Sequence, residues 1–149
     1  MLFRSLSHTG ARVEDRCGDT TLAQALLAPT TIYNRPLLAV QRQVAINAMA
    51  HITGGGILET LPRVLPEGLG AIVHRDSWQL PPVFQWLQAG GNITEQEMMR
   101  TFNCGVGMIL VVSPEHTSTT LSLLADHGIS AWDLGVITDQ SSGVRLEQG

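Results

Sequence analysis

The sequence predicts an α/β or α+β fold: a mixed β-sheet with helices on at least one face. Short apolar runs at residues 44–52, 71–73 and 106–112 alternate with segments whose apolar residues recur at helical spacing, and glycines and prolines punctuate the joins. The 149 residues, 44% of them hydrophobic, suit one domain with a proper core. No internal repeat or low-complexity tract interrupts this order.

Residues 1–7 carry Met1, Leu2, Phe3 and Leu6 in an amphipathic helical pattern without a preceding cap, as if the helix began upstream. Residues 8–21 are polar and glycine-punctuated and predict a loop. Residues 22–28 predict one or two helical turns stopped by Pro29. The segment 30–43, with Ile32, Tyr33, Leu37, Leu38 and Val40, is helical if the helix starts near Pro36.

The run 44–52 predicts a strand that enters Thr53-Gly54-Gly55-Gly56, after which Ile57, Leu58 and Leu61 predict a helix kept short by Pro62 and Pro66. Residues 70–74 predict a strand. Leu80, Val83, Phe84 and Leu87 stand at i, i+3, i+4 and i+7, with Pro81 and Pro82 at the start and Gly90 and Gly91 past the end, and mark the clearest helix.

Thr94 and Glu97 have capping-box spacing for a helix towards Arg100. The continuous apolar run 106–112 predicts a strand covered on both faces. Ser113-Pro114 opens a helix that Gly128 ends. Trp132, Leu134 and Val136 alternate as a strand, and residues 139–143 turn into a last strand at 144–146.

Composition narrows the function classes. Charged residues make up only 15% of the chain, which predicts a face that meets a partner rather than water. The net charge of -4 and the absence of lysine argue against a nucleic-acid track, and the scattered arginines suit single anion contacts. No apolar run reaches the roughly 20 residues of a membrane helix, so no membrane partner is expected. Cys17 and Cys104 make at most one bridge, and a reduced, cytoplasmic protein is expected.

The strand, glycine loop and helix around residues 51–59 bring backbone close to something else, because glycine has no Cβ. Unpaired N–H groups at the following helix start favour an anion, with a phosphate the obvious candidate; a tight turn packed on neighbouring backbone is the other reading. Neither GxGxxG nor GxxxxGK[ST] is present. Asn103-Cys104-Gly105 places an amide and a thiol at the mouth of the apolar strand, where ligand sites gather in layered folds. Without an evident basic partner, Cys104 reads as a small buried residue rather than a nucleophile. The five histidines have no metal-site spacing, so no metal ligand is expected on this chain. Trp78 and Trp86 read as core or interface residues.

Five segments follow one another along the chain: Leu26-Leu27-Ala28-Pro29-Thr30-Thr31-Ile32-Tyr33, Ala50-His51-Ile52-Thr53-Gly54-Gly55-Gly56, Pro62-Arg63-Val64-Leu65-Pro66, Phe84-Gln85-Trp86-Leu87-Gln88, and Arg100-Thr101-Phe102-Asn103-Cys104-Gly105-Val106-Gly107-Met108. In these the chain resembles the C-terminal domain of the phosphoribosylformylglycinamidine cyclo-ligase (AIR synthetase) family. The resemblance implies residues 22–149 as that domain, with residues 1–21 as a truncated inter-domain helix and loop. The N-terminal ATP-binding and dimerisation domain of the family is missing from this sequence.

The resemblance also implies an ATP-dependent ring closure of formylglycinamidine ribonucleotide to aminoimidazole ribonucleotide in purine biosynthesis, by a homodimer when entire. ATP and Mg2+ are expected mainly on the missing domain, and this chain is expected to be inactive alone. The implied substrate or phosphate contacts are His51, Thr53, Gly54, Gly55, Gly56, Arg100, Asn103 and Gly105, with no catalytic residue assigned. Gly55→Val is expected to cut turnover with little loss of folding. The alternative is a free-standing module that binds a phosphate or nucleotide without chemistry.

Overall fold

The structure, a computed structural model, describes residues 9–148; the helix expected over residues 1–7 lies outside them. Strands β1 (Arg16–Cys17) and β2 (Thr20–Thr21) lead into helices α1 (Leu22–Leu26) and α2 (Asn34–Gln41), then strand β3 (Ile46–His51). Helix α3 (Gly56–Thr60) continues as a 3-10 turn, Leu61–Val64, ahead of strand β4 (Gly70–His74). Helices α4 (Pro82–Gly91) and α5 (Glu95–Thr101), strand β5 (Met108–Val112), helix α6 (Thr117–Asp126) and strands β6 (Gly135–Thr138) and β7 (Gly143–Glu147) complete the order.

The mixed sheet is three-stranded, in the order β6-β4-β7, with β6 antiparallel and β7 parallel to β4. The last two strands are neighbours in sequence but not in the sheet, because each takes one side of β4. β3 and β5 form a separate antiparallel ladder in which Ala50 faces Ile109 and His51 faces Met108. The Ile52 N–H extends it to the Gly107 carbonyl at 2.9 Å.

Ala50, Ile52 and Ile109 from this ladder meet Ala71 and Val73 of the mixed sheet, with Ile57 and Leu61 between them. That shared core fixes where β3 ends and the glycine loop begins. A second core of Leu87, Met98, Met99 and Cys104 joins α4 to α5, and a third holds α2 and α6 on the ladder through Val40, Val44 and Leu124.

Four expectations are corrected. Residues 8–21 contain a two-strand hairpin, with Arg16 opposite Thr21 and Cys17 opposite Thr20; strands of two residues are too short to show a period. β5 is not covered on both faces, since only Ile109 is buried and the rest is half-buried. Among the described residues it pairs with β3 alone. Strand β6 starts at Gly135, so Trp132 and Leu134 precede it, although the Leu134 carbonyl still accepts from the His74 N–H at 2.9 Å.

The fourth correction concerns helix ends. Gly90 and Gly91 complete the last turn of α4, and Asn92 at φ 48 closes it. At α5, Thr94 accepts from the Glu97 N–H at 3.3 Å, but the Glu97 carboxylate accepts from the Thr101 hydroxyl at 3.1 Å instead of returning to the cap. The complete capping box is at α1, between Thr21 and Gln24.

Candidate functional site

β3 delivers the chain to Thr53, whose carbonyl accepts from the Gly56 N–H at 3.1 Å and closes a tight turn. The three glycines inside and after it differ physically. Gly56 is buried at φ 54, and a Cβ there would overlap the Met99 carbonyl oxygen and sit 2.8 Å from that of Phe102. Gly55 has φ 98, a conformation strained for any side chain, with the Glu59 Cβ 3.1 Å from where its own would lie. Gly54 is exposed, has no left-handed φ, and a Cβ there would meet nothing within 4 Å. The chain itself requires glycine at 55 and 56, not at 54.

The helix after the loop has five residues, about one and a half turns, so its terminal dipole is small. Charge beside the loop comes from side chains instead. Glu59 accepts from Arg100 Nε at 2.7 Å and lies 3.7 Å from an Arg63 guanidinium nitrogen. The hydrogen bond from Arg100 is the main reason its carboxyl titrates below the ordinary carboxylate range. Arg100, expected to face a phosphate, is therefore held by a carboxylate. The trio of two guanidinium groups and one carboxylate carries a net single positive charge beside Gly55.

Next to the loop lies a cleft of about 210 Å3 lined by Ile52, Thr53, Phe84, Thr101, Phe102 and Asn103. It brings together Thr53 and Asn103 from segments fifty residues apart. The Phe84 and Phe102 rings are 6.0 Å apart, and no charged side chain lines the cleft. Asn103 Oδ1 accepts from the Gly105 N–H at 3.1 Å, so the expected Gly105 amide donor is spent inside its own turn. His51 does not line the cleft. It alternates with Ile52, stands exposed on the other face of β3, and presents its ring edge-on to Tyr33 with 6.1 Å between centroids.

Cys104 is fully buried at φ 51, its thiol directed to the Met98 carbonyl at 3.4 Å. Burial pushes that thiol up to about 11, which suits a packing residue and not a nucleophile. Its carbonyl accepts from the Trp78 indole N–H at 3.0 Å. The Arg75 guanidinium lies 4.9 Å from the Trp78 ring centroid and donates to Glu95 at 2.7 Å, and Trp132 stacks on Trp78 at 6.4 Å. This strap under the Asn103 turn, and Arg63 beside the glycine loop, were missed from the sequence. Trp78 is 26 residues from Cys104, and no spacing rule connects them.

Among the described residues no group of three or more His, Cys, Asp or Glu side chains gathers as a metal donor set. Among the described residues no helix is long and apolar enough to cross a membrane.

Residues 4–147 match the family model described as AIR synthase related protein, C-terminal domain. The chain is 50% identical over 119 residues to the phosphoribosylformylglycinamidine cyclo-ligase of Nitrosospira multiformis, covering 80% of this chain and 34% of that protein. It is 50% identical over 131 residues to the enzyme of the same name from Chromobacterium violaceum, covering 88% of this chain and 38% of that one. It is also 50% identical over 129 residues to the human trifunctional purine biosynthetic protein adenosine-3, covering 87% of this chain and 13% of that one. The chain thus spans little more than a third of the bacterial cyclo-ligases. With the match running through the glycine loop, the cleft and all seven strands, the chain belongs to the family of AIR synthase related C-terminal domains.

Proposed function

We propose that this chain is the C-terminal part of an ATP-dependent cyclo-ligase that closes formylglycinamidine ribonucleotide to aminoimidazole ribonucleotide in purine biosynthesis, and that it has no activity without the remainder of such an enzyme. Residues 22–149 form the domain, and residues 1–21 lead into it from the part that carries most of the ATP and Mg2+ site. A cytoplasmic location and a dimeric full enzyme go with this reading.

The observation that carries it is Gly54. Its glycine answers no need of the chain's own packing, and in the turn it follows Thr53, which lines the cleft, and precedes Gly55, beside which Glu59 and Arg63 lie. A phosphate oxygen that approaches the backbone there meets an unhindered surface, with one net positive charge beside the neighbouring Gly55. In the reaction ATP supplies the phosphoryl group that activates the formyl oxygen. This chain holds the ribonucleotide: Thr53 offers a hydroxyl, the backbone at Gly54 allows close contact, and the arginines offset phosphate charge. His51 and Gly105 are not needed for that task.

The test is an assay for ATP-dependent aminoimidazole ribonucleotide formation by the chain alone and after addition of the separately produced N-terminal part of the Chromobacterium violaceum enzyme. No product is expected alone, and product is expected from the mixture. Turnover by the chain alone would overturn the half-enzyme reading.

A further inference from the structure

The Asn103 turn fixes which way its side-chain amide faces. Only Oδ1 can accept the Gly105 N–H, so the oxygen is turned into the turn and Nδ2 carries both of its hydrogens elsewhere. Nδ2 has no partner among the described residues, while Asn103 lines the cleft. The turn cannot swivel freely, because Cys104 is buried in the α4 and α5 core with its carbonyl held by Trp78, and Trp78 is backed by Arg75 and Glu95. Across the cleft the Thr53 hydroxyl is a second group able to donate.

The remaining walls are Ile52, Phe84, Phe102 and Thr101, whose hydroxyl is already given to Glu97, and neither Arg63 nor Arg100 lines the space. A phosphate placed there would lose hydration without gaining a cation. A flat, uncharged group with a carbonyl-type oxygen meets what is present: aromatic rings together with amide and hydroxyl donors.

We infer that the ligand is divided between two places in this wall, with its phosphate at Gly54 and its neutral amide or formyl segment in the cleft, where Asn103 Nδ2 donates to the segment's oxygen. The inference rests on the reading of this wall as a ribonucleotide site. Asn103 is then a residue that distinguishes the substrate from a bare sugar phosphate.

Asn103→Asp separates this from a role in shaping the turn. The aspartate keeps an oxygen to accept the Gly105 N–H, so the turn and the thermal midpoint should be preserved, but the donor becomes an acceptor facing an acceptor. Titration of the 15N-labelled chain with formylglycinamidine ribonucleotide should move the Asn103 side-chain amide resonances in the wild type and show at least tenfold weaker binding in Asn103→Asp. Ribose 5-phosphate, which lacks the amide segment, should bind both forms equally. Equal affinity of the two forms for formylglycinamidine ribonucleotide, or equal loss for both compounds, overturns the inference and leaves the site reading in place. Failure of the wild type to bind either compound, both alone and mixed with the separately produced N-terminal part of the Chromobacterium violaceum enzyme, overturns the site reading and the inference with it.

Discussion

Three adjacent glycines carry three different demands. At Gly56 any side chain drives into backbone carbonyls of α5, which cannot retreat without breaking that helix's end. Gly56→Ala should therefore destabilise the protein by about 3 kcal/mol, combining left-handed strain with the clash, as read from urea unfolding. Gly54→Ala should change stability by no more than about 0.5 kcal/mol, because its Cβ enters open space. Under the proposed function it should still weaken binding of ribose 5-phosphate, measured by calorimetry. Gly55→Val is the poorer probe: at φ 98 a β-branched side chain is strained, so its loss of activity would be mixed with loss of folding. The sequence displays a glycine run and its neighbouring strand plainly. What separates the three positions is the approach of Met99 and Phe102 from more than forty residues away, which no local pattern carries.

Among the elements, those with their own period were legible. β3 and β4 declare themselves as apolar runs between turn residues, and α4 by its spacing and its prolines. The hairpin β1-β2 and the strap around Trp78 were not, since one is too short and the other is assembled from three separate segments. The strap joins the turn after β4 to the turn before β5, and so ties the mixed sheet to the cleft. Trp78→Phe keeps the ring packing but leaves the buried Cys104 carbonyl without a donor. It should cost about 1–2 kcal/mol in thermal or urea unfolding. If the indole hydrogen bond were unimportant, the Phe variant would unfold with the wild type.

For the molecule as a whole, the proposed function makes the site one wall of something larger, and it asks for apolar surface left to be covered. Leu27 and Ile32 are 82% and 80% exposed, although the chain keeps three cores well filled elsewhere. The low charge fraction led to the expectation of a partner-facing surface; which apolar residues stand exposed required the fold. The mixed sheet sets the other global property. β4 obtains both of its neighbours from the last strands of the chain, and Val144 and Leu146 of β7 also pack on the central core. Removal of residues 139–149 should therefore abolish a cooperative thermal transition by circular dichroism, rather than fray one edge. Persistence of a sharp transition would show that the ladder with β6 suffices. In a growing polypeptide the order of events follows: β4 emerges about sixty residues ahead of every strand that can pair with it. Its apolar Ala71, Ile72 and Val73 must wait in an open edge until those strands have been made, the interval in which a nascent chain is most exposed to mispairing with another copy.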